Sequence, residues 1–172
     1  MSWTDFYRRR DALDAVLEQA RRDPASTAPF ASFASIPQVA AEFARPEDLL
    51  LALHHRWSLR LTGQLGVALS NPDIDPVDAV LAGWRTTAAA NPELRGLLDR
   101  GAREYPDVVR PAVDGEQRLL AHCAGLAEAD DSPDEVTRLG ATLLALLRNG
   151  SERPARRRSP VEQLLRRLVA SA

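Results

Sequence analysis

"DPVDAVLAGWRTTAAANPELRGLL", residues 75–98, carries two helix starts. Each is a capping side chain placed directly before proline: Asp75-Pro76 and Asn91-Pro92. The side-chain oxygen of such a cap accepts a hydrogen bond from a backbone N–H that the helix leaves free. Proline, which has no N–H, fits the first helical position. The arrangement recurs at Ser132-Pro133 and Ser159-Pro160, where Glu135 and Glu162 complete capping boxes three residues on. Ser2 with Asp5 is a weaker version. Within the stretch, Val77, Val80, Leu81 and Trp84 recur at helical spacing. No run alternates apolar with polar residues as a half-buried strand does, and no internal repeat is visible. The chain therefore reads as an all-α bundle of seven to eight helices.

Working outward, the first helix is predicted over residues 4–22, with Phe6, Leu13, Val16, Leu17 and Ala20 on one side. The Pro/Ser/Ala-rich stretch "DPASTAPFASFASIP" breaks the pattern. A short helix follows over 37–44 and a long one over 46–69. Two more are expected over 76–90 and 92–104. The next begins between Asp107 and Pro111 and ends near Glu128, and the last of the body covers 133–149 with Gly150 as its C-cap. This gives a helical domain over residues 1–150. Residues 151–172 form an appendage: the basic linker "SERPARRRS" and a short amphipathic helix carrying Val161, Leu164, Leu165 and Leu168 on one face. Charge is uneven. Residues 107–137 carry a net −6 and residues 138–172 a net +6, read as solvated surface with the tail folded back on the acidic segment.

Composition narrows the chemistry. The 172 residues are 45% hydrophobic and 27% charged, enough for a core without cross-links. A net charge of −2 gives no overall bias toward nucleic acid or anionic membrane. Every cationic side chain is arginine, so Schiff-base chemistry and a P-loop lysine are excluded. A lone cysteine, Cys123, reads as a small core residue and fits a reducing cytoplasm. The N-terminal "MSWTDFYRRRD" has no apolar core of a secretory signal, and no apolar run approaches the ~20 residues of a membrane span. The chain is expected in the cytoplasm, away from membranes.

Two of the three histidines stand side by side in "ALHHRWSLRL", residues 52–61. With about 100° per residue, Leu50, Leu53, Trp57, Leu61, Leu65 and Ala68 form the buried stripe of that helix. His54 falls inside it and His55 about 100° away on the flank. A helical metal site needs a second ligand three or four residues off, and those positions hold no His, Cys, Asp or Glu. His54 reads as a buried or pocket-lining residue with Ser58 within hydrogen-bonding reach, and His55 as surface. No metal site, no cofactor and no catalytic set is predicted. GxSxG, GxGxxG and P-loop patterns are missing. Gly63 and Gly66, in "TGQLG", are read as allowing close helix packing or a bend.

One stretch carries a resemblance. "FARPEDLLLALHHRW", residues 43–57, resembles the start of the fourth helix of TetR-like transcriptional regulators. "RRDALDAVLEQARRD" is similar to that family's first helix, and residues 75–98 to the opening of its ligand-binding half. The resemblance implies a TetR-like body, a homodimer formed by its last two long helices, and a small apolar ligand held between helices. In that family a helix-turn-helix lies between the first and fourth helices. Here "PASTAPFASFASIPQVAAE" fills that space, with Gln38, Glu42 and Arg45 as the side chains on offer to bases. The expected function is a non-enzymatic regulatory or interaction protein, with His54, Trp57 and Trp84 lining any ligand site and no specific binding to nucleic acid. The alternative is a DNA-binding regulator with an atypical reading head.

Overall fold

The computed structural model describes residues 3–24, 28, 30–128 and 130–150. Seven α-helices and one 3-10 turn make up the fold, with no strand among the described residues. They are α1 (Trp3–Arg22), the 3-10 turn Phe30–Ser35, α2 (Pro37–Glu42), α3 (Pro46–Ala68), α4 (Pro76–Ala90), α5 (Pro92–Glu104), α6 (Pro106–Cys123) and α7 (Pro133–Gly150). The all-α bundle predicted from the helix starts is what forms. The Ser159-Pro160 cap, the basic linker and the last amphipathic helix lie outside the described residues.

Proline opens six of these helices, two of them without a polar residue ahead of it: Ile36 precedes α2 and Tyr105 precedes α6. Asp75 caps α4, accepting from the Val77 N–H at 2.9 Å. Ser132 forms its box with Glu135, each accepting from the other's backbone N–H at 3.3 Å. The Ser132 hydroxyl, donating to Glu135 at 2.8 Å, and after it the Ser132 N–H hold the Glu135 carboxyl below its ordinary range. Asn91 does not cap α5. Its oxygen is taken by Arg60 of α3, and its amide donates to the Thr87 carbonyl at 2.8 Å.

Further details differ from the sequence reading. The stretch after α1 is not a mere break. Phe30 and Phe33, three residues apart as a 3-10 turn requires, are both buried. Phe30 packs edge-on to Tyr105 with ring centroids 6.2 Å apart, and its N–H donates to Glu104 at 2.7 Å. Helix α6 starts earlier and ends sooner than expected, absorbing Pro111 near its start. It stops because Gly125 takes φ +67°, with Gly125 N–H donating to His122 and Leu126 N–H to Ala121. Phe6, assigned to the inner side of α1, is exposed, while Leu13 and Val16 are buried as expected, joined by Ala12, and Leu17 and Ala20 pack partly buried against the core.

Helix α3 is the axis of the bundle. It packs on α1, α4, α5, α6 and the 3-10 turn, and buries Leu49, Leu50, Leu53, Trp57, Leu61 and Leu65. Helix α6 packs on α3, and α7 packs in turn on α6. Close approach falls on glycines other than those the sequence suggested. A Cβ added at Gly63 or Gly66 would meet no described atom within 4 Å. One at Gly83 would come within 3.1 Å of Leu65, one at Gly101 would run into Leu50, and one at Gly140 would strike the Gln117 backbone. No described helix is long and apolar enough to cross a membrane.

Candidate functional site, a buried polar cluster on α3 to α6

The three side chains singled out in the sequence come together on the inner face of α3 and α4. Trp57 is fully buried and Trp84 nearly so, with ring centroids 6.0 Å apart and planes at 74°. That is the edge-to-face geometry aromatic pairs prefer. His54, one turn before Trp57, is buried, and His55 is exposed. No hydrogen bond joins His54 to Ser58. The His54 Nε2 and the Trp57 Nε1 are both buried and have no partner among the described residues.

Two charged residues complete the cluster. Glu116 of α6 is buried and accepts from Trp84 Nε1 at 2.8 Å. Arg95 of α5 lays its guanidinium over the Trp57 ring, 5.1 Å from the centroid. Its Nη2 donates to Asp99 at 2.7 Å, while its Nη1 stands 3.8 Å from the Glu116 carboxylate, beyond hydrogen-bond reach. Arg95 Nε and Nη1 are buried without a hydrogen-bond partner among the described residues. The chain Trp84–Glu116–Arg95–Asp99 thus runs from the core to the half-exposed carboxylate of Asp99.

Sequence reading missed both charges. Glu116 was counted with the acidic surface of residues 107–137, yet it shares a helical stripe with Val109, Val113 and Leu120, and that spacing points inward. Arg95 lies on the flank of the Leu94, Leu97, Leu98 stripe, where spacing does not mark it. Cys123 is half-buried, and burial pushes its thiol up, away from the reactive thiolate.

Burial first, and the charge of Arg95 second, bring the His54 imidazole down to about 4, with Asp99 acting in the opposite sense. The free imidazole titrates near 6.5. A folded-state value below the unfolded one means that the unfolded chain binds the proton more readily. Stability is therefore full above the unfolded value and falls as pH drops from about 6.5 to about 4. The expected loss over that window is about 3 kcal/mol. Urea midpoints of wild type and His54→Leu at pH 7 and pH 4 check this. The part of the decline due to His54 should be missing in the variant.

The fold and the cluster define an all-α bundle with a hydrogen-bonded charged group in its core. Comparison with family models, with curated proteins and with solved structures found no match.

Proposed function

We propose that this chain is a non-enzymatic regulatory or interaction protein with a TetR-like body, working as a homodimer and responding to a small, largely apolar ligand at the His54, Trp57 and Trp84 cluster. One observation carries the ligand reading: four buried polar atoms, on His54, Trp57 and Arg95, stand without hydrogen-bond partners among the described residues, beside two aromatic faces. Buried polar groups are nearly always satisfied, and an unsatisfied one calls for a partner such as a water, an ion or a ligand. A ligand with an apolar body and one acceptor would suit them, and α3 and α5 would part to admit it. Trp3 is 79% exposed and would dominate solvent-facing emission, so the test uses Trp3→Phe. Titrating that variant with quinoline, an aromatic body with one acceptor nitrogen, should quench or shift the remaining emission saturably. Emission unchanged up to the solubility limit would remove the ligand from the reading.

The dimer is supported by a different surface from the one the resemblance implies. Helices α6 and α7 bury Leu120, Ala124, Leu143 and Leu147 within the chain. The outer face of α3 instead exposes Leu51, His55, Leu59, Gly63 and Val67, an uncharged stripe at four-residue spacing. Antiparallel pairing of two copies about Leu59 would set Leu51 against Val67 and His55 against Gly63, large against small. Light scattering at tens of micromolar should give twice the chain mass, and Leu59→Arg should return it to one. A wild-type monomer would sink the dimer.

No sequence-selective DNA complex is expected. Helix α2 is six residues, about 9 Å long. Of the candidate readers, Glu42 on α2 is paired with Arg8 at 2.9 Å, Arg45 lies beyond that helix at the N-cap of α3 and pairs with Asp48 at 2.9 Å, and Gln38 alone is left exposed on α2. Groove readout needs several free donors and cationic backbone contacts. A nanomolar operator complex at ~0.15 M salt would restore the DNA-binding alternative.

A further inference from the structure

A cleft of about 560 Å³ opens between α1, α3 and the corner where α4 meets α5, on the opposite flank of α3 from His55. That volume lies within the range of small-molecule sites, ~300–1,000 Å³. The polar lining at its inner end is Arg56 and Arg60, one helical turn apart on α3, with Asp14 of α1 and Asn91 just before α5, and Glu18, Arg21 and Glu93 add further charges. Leu17 and Leu94 add apolar wall.

Both arginines are held in place, and one nitrogen of Arg56 is left without a partner among the described residues. Arg56 Nη2 donates to Asp14 at 2.6 Å, while its Nη1 is buried with no hydrogen-bond partner among the described residues. Arg60 donates to the Asn91 oxygen, and Asn91 is fixed from behind by its bond to the Thr87 carbonyl. Burial first, and the neighbouring charge of Arg56 second, work against the charge on Arg60. Two like charges one turn apart on a helix repel each other. Because Asn91 is diverted to Arg60, no side chain caps α5, whose first turn also lines the cleft. A helix start without a cap favours an anion. At the rim, Arg21 is engaged by Glu18 and by Glu93 at 3.7 Å.

We infer that this cleft binds a small organic monocarboxylate, its carboxylate seated between Arg56 and Arg60 and its short apolar body against Leu17 and Leu94. The charge balance selects the class. Three arginines meet three carboxylates over the whole lining, so a monoanion seated at the Arg56 and Arg60 end is tolerated, whereas a polyanion would meet repulsion from Asp14, Glu18 and Glu93. Paired N–H donors from arginine match the planar carboxylate. This inference does not rest on the ligand reading of the Trp57 cluster.

Titration calorimetry of the full chain with sodium benzoate and sodium butyrate, against sodium chloride at matched ionic strength, tests it. Saturable binding is expected, with sodium phosphate giving none. Arg60→Met and Arg56→Met should each weaken it by about tenfold or more, as loss of a charge-assisted hydrogen bond does. Ala90→Trp, at an exposed position on the cleft, should block it without touching either arginine. That variant keeps the test sound if an arginine variant fails to fold. No saturable response of wild type up to about 10 mM of either carboxylate would overturn the inference. So would phosphate binding as tightly as benzoate, or benzoate binding that is unchanged in folded Ala90→Trp.

Discussion

Gly140→Ala is expected to destabilise the protein by about 3 kcal/mol, while Gly63→Ala stabilises it by about 0.5–1 kcal/mol. Both glycines lie inside helices, where alanine is intrinsically better because glycine loses more backbone entropy on folding. At Gly63 nothing within the same chain opposes that gain among the described residues, since a Cβ there has open space within 4 Å, and the gain is read at protein concentrations low enough to keep the chain monomeric. At Gly140 the new methyl would meet the Gln117 carbonyl and the backbone around it, not the flexible end of a side chain. Helix α7 would have to move off α6, opening the contacts of Leu143, Leu144 and Leu147 with the core. Urea denaturation of the two variants and wild type reads both signs in one experiment, provided the denaturant slope is unchanged. Equal effects of the same sign would show that α6 and α7 are not packed backbone to backbone.

Arg95→Ala is expected to cost about 3–5 kcal/mol, the loss typical of breaking a buried ion pair from one side. It would leave the Glu116 carboxylate in the core with only the Trp84 N–H to meet it, and would strip the cation from the Trp57 face. Replacing both charges, as Arg95→Met with Glu116→Leu, should recover most of that loss, because apolar groups of similar volume need no compensation there. Glu116→Gln should be milder than either single apolar change, since its oxygen can still accept from Trp84. A double-mutant cycle measures the coupling. A coupling energy near zero would mean that Arg95 and Glu116 are independent in the core, and the cluster would lose its standing as a unit.

The sequence by itself determined the helical class and most helix starts, because those are local matters. Proline before a first turn and Ser132 with Glu135 act within four residues, so no distant partner is needed to read them. It also placed His54, Trp57 and Trp84 inward, because apolar spacing on one helix reports which face is buried. Asn91 looked the same as the other caps, yet its side chain is claimed by Arg60 from another helix. Glu116 looked like one more acid in an acidic segment, and only the packing of α4 and α5 around α6 supplied the indole and guanidinium that keep it buried. Gly63 and Gly140 are equivalent in a helical pattern; which of them touches a neighbouring backbone follows from how the helices cross. Both candidate sites join charges separated by many residues, Arg95 with Glu116 and Asp14 with Arg56. Such pairing depends on three-dimensional placement, where a charge is decided by its partners and not by its own spacing, and so only the tertiary structure decided it.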